Sequence, residues 1–223
     1  MHRLFVAATL LPLLAFPGAA SADTSLGLRG GTLGAGAELS YALSQRAAVR
    51  LNADGYKLSQ SSTEADIDYD MKLKLQTVSL LGDWFPFANN FRISAGAMFN
   101  GNKFTLKGKP TGGFFTVNGT QYNTAQIGSF DASVDFRKAA PYFGIGYGRP
   151  INSGLSFIID AGVMFQGSPR SKIDATCGPA APQGSPACNQ VQSDAKAEES
   201  RLDDSLHEFK YYPVISVGLA YTF

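Results

Sequence analysis

Residues 211–223 read YYPVISVGLAYTF, and the odd positions, Tyr211, Pro213, Ile215, Val217, Leu219, Tyr221 and Phe223, are uncharged and mostly large. From Ser216 onward the even positions are Ser216, Gly218, Ala220 and Thr222, all small or weakly polar. A period of two marks a strand, because successive side chains leave opposite faces of the pleat. A half-buried soluble strand alternates in the same way. Aromatic residues at both ends of the greasy face, with Phe223 last, instead suit a membrane strand with an interfacial girdle at each end.

The division recurs along the chain. Leu33, Ala35, Ala37, Leu39, Tyr41 and Leu43 alternate with Gly34, Gly36, Glu38, Ser40 and Ala42; Ala47, Val49, Leu51 and Ala53 alternate with Arg50, Asn52 and Asp54. In DIDYDMKLKLQ, Ile67, Tyr69, Met71, Leu73 and Leu75 alternate with Asp68, Asp70, Lys72, Lys74 and Gln76. FRISAGAMFNGN, YFGIGYG and LSFIIDAGVMFQ continue the pattern, with Phe91, Ile93, Phe143, Ile145, Tyr147, Leu155, Phe157, Ile159, Val163 and Phe165 on the odd face. Short turns fall at Leu43 to Arg46, Pro86 to Asn90 and Pro150 to Gly154; longer connections fall at about Ser59 to Ala65, Lys107 to Ser133 and Gly167 to Lys210. Strict short-then-long alternation predicts an all-β, antiparallel, up-and-down transmembrane β-barrel of about eight strands. Seven strands are clear, and Thr24 to Arg29 supplies the eighth. Gly30 and Gly31 form its turn or bulge, where the apolar phase switches from even Leu26 and Leu28 to odd Leu33.

Met1-His2-Arg3, the apolar LFVAATLLPLLAF and the small residues up to Ala22 read as a secretory signal peptide over 1–22, too short to span a bilayer. An N-terminal membrane anchor is the alternative. The mature chain, 23–223, is then expected in the cell outer membrane or another extracytoplasmic setting. With 24 Gly, 16 Phe, 9 Tyr, 17% charged residues and a net charge of +1, the composition suits a closed β structure and argues against a nucleic-acid partner.

The stretches DWFPFANNFRISAG, APYFGIGYG and YYPVISVGLAYTF, with the leader and the alternating strands, resemble the small outer-membrane β-barrels of Gram-negative bacteria. The likeness is to the OmpA/OmpX-type and opacity-protein-like group, in a proteobacterial branch of it. It covers nearly all of the mature chain and implies fold and location, but carries no activity. It also implies an assembly signal in Tyr221 and Phe223, read by the outer-membrane insertion machinery. Outer-membrane lipid and lipopolysaccharide are the other expected partners.

Even positions collect Glu38, Asp54, Asp68, Asp70 and Asp160 against Arg50, Lys72, Lys74 and Arg92. In a lumen only wide enough for side chains, such mixed charges would pair and plug it. An ion-selective pathway usually shows a ring of one sign. Catalysis lacks its usual residues: His2 leaves with the leader, and His207 sits beside Asp203 and Asp204 in a predicted helix, as a solvated face or in contact with them. No His/Cys/carboxylate cluster suggests a metal, and no cofactor is expected.

The long loop 168–210 holds the only cysteines, Cys177 and Cys188, around GPAAPQGSPA. In an exported chain this spacing points to a disulfide, with free thiols or metal ligands as alternatives. SDAKAEESRLDDSLHEF then reads as a helix capped by Ser193 or Asp194, with Leu202, Leu206 and Phe209 as a narrow stripe for the barrel rim or for a partner. The leading expectation is a non-enzymatic integral outer-membrane barrel with a structural or surface-interaction role. A narrow pore for small or apolar solutes is the second, and a lipid-modifying outer-membrane enzyme the third.

Overall fold

The computed structural model describes residues 23–64, 67–112, 114–151 and 153–223. The expected signal peptide lies outside these residues. In chain order the elements are β1 (Thr24–Gly31), β2 (Gly34–Ser44), β3 (Ala47–Glu64), β4 (Ile67–Trp84), β5 (Phe91–Asn100), β6 (Lys103–Pro110), β7 (Phe114–Val117), β8 (Thr120–Asn123), β9 (Ile127–Asp135), β10 (Ala139–Tyr147), β11 (Gly154–Phe165), β12 (Arg170–Cys177), α1 (Pro186–Leu206) and β13 (Tyr211–Thr222). Eleven strands form one antiparallel sheet, and β7 pairs with β8 separately.

The ladder returns on itself. Pairings run β4-β3-β2-β1-β13-β11-β10-β5, and β5 pairs back onto β4 through Thr77↔Asn100 to Trp84↔Ile93. The start of β1 and the end of β13 meet at the end where the short turns lie, with Phe223 N–H donating to the Thr24 carbonyl at 3.0 Å. The circuit follows from pattern: its outward positions include Leu39, Tyr41, Val49, Leu51, Leu80, Phe157, Val217 and Leu219, all exposed. Along β13, Tyr211 and Tyr221 are ten residues apart, about 33 Å along a strand or about 25 Å along the normal at a tilt of ~40°. Aromatic pairs mark both ends, with Phe165 against Tyr211 at 5.6 Å and Tyr221 against Phe223 at 5.3 Å.

The strand β4 holds one phase for its whole length while its surroundings change. Even positions stay exposed, running from Asp68, Asp70, Lys72, Lys74 and Gln76 to Val78, Leu80 and Trp84. Odd positions turn inward, from the part-buried Met71, Leu73 and Leu75 to the buried Thr77, Ser79, Leu81 and Asp83. Polarity therefore inverts on both faces near Gln76. This is where β4 changes partner, from β5 below to β6 above through Lys74↔Lys103 to Ile67↔Pro110. Above the inversion the hairpin of β3 and β4 continues as a sheet, extended by β6, β9 and β12.

These strands correct the expected connections. Residues 59–64 belong to β3, 107–133 hold the end of β6, all of β7 and β8 and most of β9, and 167–210 contain β12 as well as the helix. Short alternating segments rich in Gly and Thr read as loops when met singly, and form strands here by adding to a hairpin edge already present. Leu33, expected on the lipid face, sits at the β1–β2 turn and is buried in the lumen. The helix begins earlier than expected: Ser185 is the N-cap, its hydroxyl accepting from Cys188 N–H, with Pro186 in the first turn. Proline is tolerated there because its missing N–H would have no helical partner.

Candidate functional site

The lumen is filled in two layers. Towards the short turns, three arginines meet four carboxylates, and each side chain is at most 3% exposed. Arg50, on β3, is central: Nη1 donates to Asp160 Oδ2 at 2.8 Å and to Glu38 Oε2 at 3.1 Å, and Nε lies 3.0 Å from Asp83 Oδ2. Arg92 Nη2 donates to both Asp160 oxygens at 3.0 Å, and Nη1 to the Gly148 carbonyl at 2.7 Å. Arg29 Nε lies 3.1 Å from Asp54 Oδ1, and its Nη1 donates to Glu38 Oε2 at 3.4 Å. Ser94 binds Asp83 at 2.5 Å and accepts from Arg50 at 3.1 Å.

Glycine makes this fit possible. A Cβ on Gly146 would stand 2.7 Å from both Asp160 Oδ1 and the Ile159 carbonyl oxygen and 2.8 Å from Arg92 Nε, so glycine leaves the space that this ion pair fills. Towards the other end, Leu33, Leu81, Met98, Ala140, Tyr142, Met164 and Val214 form an apolar layer. Tyr142 lies over Gly144 and Gly162, whose Cβ atoms would be 2.4 and 2.5 Å from its hydroxyl. The geometry is that of a plug: charge is paired below, and apolar side chains interdigitate above.

Of the residues expected to line the lumen, Glu38, Arg50, Asp54, Arg92 and Asp160 are brought together there. Asp68, Asp70, Lys72 and Lys74 are not. They project from the exposed outer face of the sheet extension, where Asp70 and Asp68 accept from Ser61 and Thr63. This charged face of β4 lies beyond the apolar outer band, where the strand has left β5 for β6 and its even side chains are exposed. Arg29 and Asp83, not anticipated, complete the network from odd positions.

Outside the circuit, Val117, Tyr122, Ile127 and Val191 form a second small core beneath α1. Tyr122 donates to Asp194, which also accepts from Asn118 at 3.3 Å and Gln190 at 3.2 Å. The Tyr122 hydrogen bond is the main cause that holds the Asp194 carboxyl down at about 2. Burial, reinforced by that carboxylate, pushes the Tyr122 phenol up to about 12. The helix also covers a sheet edge: Asp203 and Glu199 accept from the N–H groups of Ser171 and Ile173, at 2.6 and 2.9 Å. Asp203 is thus engaged with β12, while His207 is the exposed C-cap of α1. Cys177 and Cys188 form a disulfide that ties the end of β12 to the first turn of the helix.

A circuit of paired strands, apolar on its outer face and enclosing a charged layer and an apolar one, is a β-barrel. The chain is similar in fold to the crystal structure of CarO2 from Acinetobacter baumannii, at 17% identity over 90% of this chain and 98% of that one, with a TM-score of 0.55. It is similar to CarO from the same organism at 21% identity, over 89% and 97% of the two chains, with a TM-score of 0.54. No protein-family model matches the chain, and no curated protein matches it.

Proposed function

We propose that the chain is a non-enzymatic, integral outer-membrane β-barrel of eight spanning strands with a closed lumen. On this reading its outer sheet and helix form a surface-interaction module. The carrying observation is the lumen network: Arg50 is 0% and Arg92 1% exposed among paired carboxylates, beneath an apolar layer. An ion or solute crossing this conformation would have to displace buried ion pairs, each costly to break. The short-turn end, where Thr24 and Phe223 lie, faces the periplasm; β6, β9, β12, β7–β8 and α1 stand outside the cell. The leader expected over 1–22 supplies export.

The outward position of the helix has a direct test. Ser200 is exposed on α1. With Cys177 and Cys188 replaced by Ser, Ser200→Cys is expected to react with a membrane-impermeant maleimide on intact cells. Protection until the outer membrane is permeabilised would overturn the topology and the surface role together. Tyr221 and Phe223 project outward at the periplasmic rim of the closing strand, and we assign them the role of assembly signal. Tyr221→Ala with Phe223→Ala is expected to lower outer-membrane yield severalfold at unchanged synthesis; normal yield on fractionation would rule the role out.

A further inference from the structure

Just above the polarity inversion, one cross-strand row on the outer face reads Lys57↔Lys74↔Lys103↔Asp135↔Arg170. All five side chains are exposed, and directly paired positions of an antiparallel sheet project to the same side. Three lysines therefore stand side by side. Like charges directly opposite are destabilising, so the row needs a reason. Asp135 supplies one partner, 3.3 Å from Lys103 Nζ, but among the described residues Lys57, Lys74 and Lys138 make no ion pair.

The row borders a cleft of about 400 Å³, formed where β4 leaves β5 for β6 and lined by Lys74, Lys103, Lys138, Asp135, Asn100 and Asn102. Its height is set by the strand. Lys74 is four residues beyond the exposed Val78, about 13 Å along β4, or about 10 Å along the normal at the tilt of such barrels. The headgroup layer is about 5–8 Å deep on each side, so the Lys74 backbone stands just beyond its outer edge, and the lysine stem reaches back down to it while its ammonium stays solvated.

We propose that this cleft binds the phosphate of an outer-leaflet lipid headgroup, with Lys74, Lys103 and Lys138 as ligands and Lys57 flanking. A phosphate there would convert mutual lysine repulsion into charge-assisted hydrogen bonds. Asp135 holds Lys103 at the cleft mouth and bars a second anion. The inference rests on the membrane reading given above, since the headgroup source depends on the apolar band lying just below.

The test uses the full chain in detergent and native mass spectrometry, with bis-phosphorylated lipid A and its dephosphorylated form as probes. Wild type is expected to retain the phosphorylated lipid preferentially. Lys74→Gln alone is expected to lose severalfold in affinity, and the triple change with Lys103→Gln and Lys138→Gln about tenfold or more. Lys196→Gln on the helix is the control and leaves retention unchanged. Equal retention by the variants, or of both lipids, overturns the site. Displacement by millimolar inorganic phosphate alone would make it a free-anion site and overturn the lipid assignment. Heat-modifiable gel mobility is scored for every variant. A wild type that folds and inserts into vesicles but does not discriminate sinks this inference only; one that does not insert sinks the barrel reading.

Discussion

Arg50→Met is expected to lower stability by about 3–5 kcal/mol, because one partner of a buried ion network is removed while the others remain. Glu38, Asp83 and Asp160 all face that guanidinium, and its side chain is 0% exposed. Methionine fills much of the volume but supplies no donor, so three carboxylates would stand in a closed space with only Arg29 and Arg92 near. The readout is urea unfolding in lipid vesicles followed by the single Trp84, which faces outward from β4. A second variant, Arg50→Met with Asp83→Asn and Glu38→Gln, should recover much of the loss, since it removes the stranded charges as well. If the single change were neutral, the network would not hold the lumen together.

Val217→Arg is expected to cost about 2–4 kcal/mol in a bilayer, the penalty of a charge near the midplane on the lipid face of a barrel. Val217 is 53% exposed and pairs with Ile159 on one side and Gly30 on the other, midway between the aromatic ends of β13. Ser200→Arg on the helix should stay within about 0.5 kcal/mol, as surface substitutions do. Equal effects of the two changes in vesicle refolding would place β13 in water and end the membrane assignment.

Much of this architecture is legible in the sequence because the strand period survives any tertiary context. Glu38, Arg50, Asp54, Arg92 and Asp160 are found by parity alone, and Cys177 with Cys188 by spacing. What misleads is the assumption that a strand has one environment. Asp68 to Lys74 and Val78 to Trp84 share the even face of β4, the first group on the sheet extension and the second on the apolar outer face of the circuit. Assigning the charged group to the lumen also hides Asp83 on the opposite face. A sign of the switch is present: charged even positions run directly into apolar even positions without a change of register. Arg29 escapes for a related reason, since β1 carries its apolar residues Leu26 and Leu28 on even positions, so its inward residue is odd. The strands between 103 and 135 are the least legible, being short and dependent on the edge of β4 for pairing. At the helix, the Pro/Gly-rich stretch before it reads as loop, although Ser185 followed by Pro186 is a valid helix start.

A non-conducting role depends on the lumen being closed. It is tested most directly by planar-bilayer recording of the purified full chain, with insertion verified in parallel by protease protection. The wild type is expected to give no resolved conductance steps at any voltage that the bilayer tolerates, since three buried arginines and an apolar layer occupy the path. Steady, ohmic single-channel steps from the folded wild type would contradict a closed lumen and make the protein a pore.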